Sequence, residues 1–144
     1  MRLPKIVIML CCLHIGMVSA TSALQLENVT VRQPLPGKTV SAGYFSVTNP
    51  TNQPLQIVAV RSQSFAKTEL HQHRMVDGMM KMEAVTQINI PANSTVHLQP
   101  GGLHLMLFRP EQALELGQQI PLEIELSSGD VLKTHAVVTR IPKQ

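Results

Sequence analysis

Pro100-Gly-Gly-Leu-His-Leu-Met-Leu-Phe108 opens on a turn and then alternates without a break. Leu103, Leu105 and Leu107 take one set of alternate positions; His104, Met106 and Phe108 take the other. A period of two is that of a β-strand, whose successive side chains point to opposite faces. The leucines are the natural core-facing set, so His104, Met106 and Phe108 are expected to point away from that core.

Working outward, the same texture runs through the chain from Leu24: short β-branched runs separated by turn residues, with no apolar recurrence at helical spacing over three turns. Candidate strands are Leu26 to Arg32, Val40 to Thr48, Leu55 to Ser62, Lys67 to Met75, Met79 to Val85, Thr95 to Gln99, Leu103 to Phe108, Ile120 to Leu126 and Val131 to Thr139. Pro34-Leu-Pro-Gly37, Asn49-Pro-Thr-Asn52, Asp77-Gly78, Pro91-Ala-Asn93, Pro100-Gly-Gly102 and Ser127-Ser-Gly-Asp130 punctuate them. About nine short strands at this spacing predict an all-β Greek-key sandwich or barrel. Arg109 to Leu116, with Pro110 and Ala113, fits a single helical turn or a loop and reads as a crossover connection.

The first residues are of another kind. Arg2 and Lys5 precede an apolar run from Ile6 to Val18 that ends in small residues, the pattern of a secretory signal peptide. The run is shorter than the roughly 20 residues of a membrane span. Cleavage is expected after Ala20, or alternatively after Ala23, leaving one soluble domain from residue 21 to 144 in the periplasm, without membrane insertion and monomeric. A lipoprotein would need a small residue before its cysteine, and Leu10 precedes Cys11. Both cysteines, Cys11 and Cys12, lie in this leader. Its removal excludes a disulfide framework, thiolate metal sites and a cysteine nucleophile. A domain of about 120 residues is large enough to rely on an ordinary core.

The formal charge of +3 includes Arg2 and Lys5, and the remaining charges are interspersed. That argues against nucleic acid as a partner, which calls for a clustered basic face. The only aromatic side chains are Tyr44, Phe45, Phe65 and Phe108, too few for a stacking platform.

Methionine and histidine, by contrast, are concentrated. Met75, Met79, Met80 and Met82 lie close together beside His71 and His73, and His104-Leu-Met106 supplies a third group. A strand carries His104 and Met106 on one face, about 6 to 7 Å apart along the chain. Asp77-Gly78 marks a hairpin. With a tight turn there, His73 opposes Met82; with a looser loop shifted by two, His71 does. Either register puts a histidine and Met82 on one face. Single methionines are usually core fillers and single histidines usually solvated, so co-occurrence at same-face spacing is what marks the group. Thioether and imidazole together select copper(I) over zinc, calcium or magnesium, and the lack of cysteine excludes a blue-copper electron carrier.

These residues resemble the periplasmic copper chaperone family called PCu(A)C. Its metal motif is His, ten residues, Met, twenty-one residues, then His-x-Met, and His71, Met82, His104 and Met106 reproduce every position and gap. Val31-Arg-Gln-Pro34, Gly43-Tyr-Phe45 and Val47-Thr-Asn49 look like its early strands. Glu69-Leu-His71, Met79-Met-Lys-Met82 and Pro100-Gly-Gly-Leu-His-Leu-Met106 look like its later hallmarks. The resemblance implies a cupredoxin-like sandwich in which those four residues hold copper(I) near the surface. It also implies transfer to a copper-receiving protein, such as the copper centre of cytochrome c oxidase or another copper-handling protein. It selects His71 over His73. The chain departs from the family where Gln72 stands in place of a common Met, on the face opposite His71, and it ends at Ile141-Pro-Lys-Gln144 without a Met- and His-rich tail. A tail-borne copper(II) site is therefore not expected.

The competing readings are an interaction module of adhesin or assembly type with incidental Met and His, and a copper enzyme. No Gly-x-Ser-x-Gly elbow, His-Glu-x-x-His or glycine-rich phosphate loop occurs, and a carrier rather than an enzyme is expected.

Overall fold

A computed structural model describes residues 24–140. The expected leader, its cleavage sites and Cys11 and Cys12 lie outside the described residues. Ten strands follow one another: β1 Gln25–Arg32, β2 Val40–Asn49, β3 Leu55–Arg61, β4 Phe65–Val76, β5 Met79–Ala84, β6 Ile88–Ile90, β7 Ser94–Leu98, β8 Leu103–Pro110, β9 Gln119–Leu126 and β10 Val131–Thr139. No helix occurs among the described residues, so none there is long and apolar enough to cross a membrane.

The all-β, cupredoxin-like expectation is met, with one strand more than expected. Ile88–Ile90 is only three residues long, pairs with β3, and buries both isoleucines. So short a run carries too little alternation to stand out from its flanking turns. Arg109 and Pro110 also belong to β8, and the crossover that follows is a loop of turns and bends rather than a helical turn.

All ten strands share one hydrogen-bonded sheet in the order β5-β4-β8-β7-β2-β1-β10-β9-β3-β6, with β8 also paired to β2. Chain order and spatial order differ, as in a Greek key, and the sheet folds over on itself. β1 joins the two halves, antiparallel to β2 on one side and parallel to β10 on the other. Where the fold closes, the Thr68 hydroxyl of β4 donates to the Val60 carbonyl of β3.

The core lies between the halves, and several strands give it alternate residues. On β2, Ser41, Phe45, Val47 and Asn49 are buried; on β9, Ile120, Leu122, Ile124 and Leu126; on β10, Leu132, Ala136 and Val138. Two positions decide how β8 seats. Gly43 of β2 opposes Leu105, and a Cβ there would lie 3.1 Å from Leu105 Cδ1 and 3.3 Å from Leu107 Cδ1. The missing side chain is therefore the room those fully buried leucines use. Asn49 ends β2 inside the core. Its Nδ2 donates to the carbonyls of Gln53 (2.7 Å), Ile90 and Pro91 (both 3.2 Å), while its Oδ1 accepts from the Thr51 backbone N–H and hydroxyl. One amide thus satisfies the backbone where β2, the following turn and β6 meet.

Asn49→Asp should lose that donor while placing a carboxylate against three carbonyls, a destabilisation on the order of 3 kcal/mol or more. Gly43→Ala should cost about 1 to 3 kcal/mol by pushing on Leu105. Urea unfolding of both variants checks this; parental midpoints would show that neither contact matters.

Candidate metal centre

The strand pairings set the site. β4 is antiparallel to β8, with His71 opposite His104 and Glu69 opposite Met106. β4 is also antiparallel to the edge strand β5, with His73 opposite Met82 and Met75 opposite Met80. The Asp77-Gly78 turn has positive φ at both residues, 51° and 76°, the twist of a type I′ hairpin. Of the two registers open from the sequence, the tight one is present. Directly opposed residues share a face, so Glu69, His71, His73, Met75, Met80, Met82, His104 and Met106 all lie on one side of the β5-β4-β8 sheet. Leu70, Leu105 and Leu107 fill the core on the other.

His104 does lie on the face away from the leucine core, but it is not a surface residue: it is only 3% exposed. Its ring centroid is 5.9 Å from that of His71 and 5.0 Å from that of His73, so the hairpin brings two imidazoles over it. Met106 is half-buried and borders a hollow of about 220 Å³ that includes Leu35 and Val40. Met82 is 49% exposed, on the open side of the hairpin.

Two of the histidines are oriented by hydrogen bonds. His104 Nδ1 lies 2.9 Å from the Gly102 carbonyl, which can only accept, so Nδ1 carries the proton and Nε2 bears the lone pair. His71 Nε2 lies 2.7 Å from Glu69 Oε2. Hydrogen bonds from Lys67 and then from His71 hold the Glu69 carboxyl below its usual range, so it stays ionised and accepts. The remaining nitrogens, His104 Nε2 and His71 Nδ1, are buried without a hydrogen-bond partner, as is His73 Nδ1. Burial lowers the His104 pKa, against an opposing pull from the Gly102 carbonyl, and the nearby His73 and His71 lower it further. A neutral imidazole with its outer N–H tied to a carbonyl or carboxylate is how metal-binding histidines are commonly held.

Among the described residues no three His, Cys, Asp or Glu side chains are arranged to hold a metal by themselves. A site on this face would need the thioethers of Met82 and Met106 to complete it. Gln72 lies on the opposite face, where its Nε2 donates to Glu83 at 2.7 Å. His97 hydrogen-bonds Ser46 Oγ at 2.8 Å on β7, and His135 is exposed on β10; neither belongs to the cluster. Sequence reasoning missed Glu69 and Gly102 as orienting partners. Glu69 carries a signal, two positions from His71 on the same face, whereas a backbone carbonyl carries none.

The comparisons with known proteins agree with this architecture. Residues 24–138 match the family model described as "Putative lipoprotein LpqE-like", and the chain belongs to that family. A relative from Leifsonia xyli subsp. xyli, "Putative lipoprotein Lxx21020", is 31% identical over 123 residues, 83% of this chain and 74% of the relative. A Rickettsia prowazekii protein, RP573, is 32% identical over 83 residues, 57% of this chain and 46% of the relative. Among solved structures, the copper(I) form of DR1885 from Deinococcus radiodurans superposes with a TM-score of 0.69 at 26% identity, covering 87% of this chain and 83% of that one. The copper-bound PCuAC domain of PmoF2 superposes with a TM-score of 0.71 at 22% identity, covering 85% and 97%. The second likeness is one of fold alone.

The burial of His104 has a pH consequence. Its folded pKa is lowered, so below the ordinary value near 6.5 the unfolded chain takes up a proton that the folded chain resists. Stability from this group is complete above that pH and declines as pH falls toward the folded pKa. Urea unfolding of the metal-free protein at pH 7.5 and 5.5 should show this loss, and His104→Gln should make the pH dependence shallower. An unchanged dependence in the variant would contradict it.

Proposed function

We propose that the protein is an exported carrier of copper(I), held by His71, Met82, His104 and Met106 and handed to a copper-receiving protein such as the copper centre of cytochrome c oxidase. The observation that carries this reading is the pair of buried lone pairs on His71 and His104. The two ring centroids lie 5.9 Å apart, neither nitrogen has a hydrogen-bond partner, and each sits on an imidazole whose second nitrogen is already tied down. Leaving such groups unsatisfied costs about 1 to 3 kcal/mol apiece, which a soft metal ion would offset.

The donor set suits that cargo. Two imidazoles and two thioethers are neutral and soft, so they favour copper(I) over harder divalent ions and do not trap it as thiolates would. The half-exposed Met82 leaves the metal within reach of an acceptor. Membership of a family named for lipoproteins, with one relative also named a putative lipoprotein, supports export. The leader-like first residues support delivery to the periplasm.

An anaerobic copper(I) titration against a competing chelator tests the reading. One equivalent should bind, and Met82→Leu and Met106→Leu, which keep volume and remove sulfur, should each weaken binding at least about tenfold, some 1.4 kcal/mol. If the parent takes up no copper, the sandwich is an interaction module with incidental Met and His. If both leucine variants bind as the parent does, the ligand set is wrong.

A further inference from the structure

The donor-bearing face continues beyond the four residues assigned to copper. Met82 stands opposite His73, not His71, whose own partner on β5 is Ala84. His73 brings its ring closer to His104 than His71 does, 5.0 against 5.9 Å. Its Nδ1 is buried and unpartnered, like the lone pairs of the other two rings. That nitrogen has no hydrogen-bond partner among the described residues, while the backbone N–H of His73 donates to the Gly102 carbonyl at 3.1 Å.

The next cross-strand pair toward the turn is Met75 with Met80, both exposed and on the same face. Met80 lies two residues from Met82, a spacing of about 6 to 7 Å along the strand. From the buried end outward, the face therefore offers His71 with His104 and Met106, then His73 with Met82, then Met75 with Met80. Soft neutral donors succeed one another at single-step intervals from the interior to the hairpin tip. On the other side of the same hairpin the pairs are Gln72 with Glu83, Arg74 with Lys81 and Val76 with Met79, so that face has one thioether, at the turn, and no histidine paired with it.

We propose, building on the copper(I) reading above, that the protein holds its cargo in two alternative positions and that His73 is a ligand of the outer one. His104 and Met82 stay bound in both. Moving outward, copper(I) exchanges His71 and Met106 for His73 and Met80, so that each bond lost is replaced by a bond to the same kind of donor. No electron moves and no proton is released, because every ligand is a neutral imidazole or thioether. Copper(I), with a closed d shell, imposes no fixed geometry that would resist the exchange. The outer position places the ion beside exposed thioethers, where an acceptor's own soft ligands can reach it.

The test follows histidine side-chain nitrogen resonances of the labelled, full folded chain during anaerobic copper(I) titration, together with transfer to bicinchoninate as a chelating probe. One equivalent should shift the ring nitrogens of His71, His104 and His73. His71→Gln should still bind one equivalent, because His73 substitutes, and the His71→Gln, His73→Gln double variant should lose at least about a hundredfold in affinity, two factors of ten. His73→Gln and Met80→Leu should each slow transfer to bicinchoninate about tenfold, a barrier change worth one factor of ten. Unmoved His73 resonances with parental transfer rates in both single variants would overturn the outer position while leaving the copper reading intact. Complete loss of binding in His73→Gln alone would overturn it as well, by placing His73 in the inner set. A parent chain that binds no copper would instead remove the reading on which the proposal rests.

Discussion

The two-residue period of β8 is the constraint on which the rest depends. Leu105 and Leu107 occupy the notch left by Gly43 and commit one side of the strand to the core. Everything on the reverse side, His104 and Met106 foremost, is thereby committed to the donor-bearing face. A slip of one residue would exchange the two sets and put polar rings among the leucines. The positions β8 assigns to these donors are then matched by β4, whose pairing sets Glu69 and His71 opposite Met106 and His104. Core packing and donor geometry are two readings of one register.

The Gly102 carbonyl ties this arrangement to the hairpin. It receives the His73 backbone N–H and the His104 ring N–H, so one oxygen positions a strand and orients a side chain. Because His104 is also covered by its neighbours, its rotamer and tautomer are set before any ion arrives. Preorganisation of this kind reduces what must be ordered on binding. The remaining unpartnered nitrogens are a local departure from good packing, and such departures tend to mark functional sites.

Much of this was legible in the residues. The alternation of Leu103 to Phe108 and the β-branched runs identified the all-β class, and Asp77-Gly78 identified the hairpin. The His-Met grouping identified the face. Three things were not legible. Ile88–Ile90 is too short to show a period. The choice between His73 and His71 as the partner of Met82 depends on turn geometry, which composition leaves open until φ at Asp77 and Gly78 is known. The burial of His104 depends on two rings from another strand coming over it, a contact made across more than thirty residues of chain and invisible to local pattern.

The hairpin strand β5 contributes no buried residue to the sandwich. Its side chains are therefore under little obligation to the fold, unlike those of β8, where each change of donor is also a change beside the core. Two halves of one site then differ in how freely they can vary through descent. The β8 side is conservative by packing, while the β5 side can trade thioethers for other donors, or lose them, with the architecture undisturbed. Under the proposed copper reading, specificity for a cargo or for a recipient can drift on that strand alone, so descendants of one scaffold can come to serve different clients.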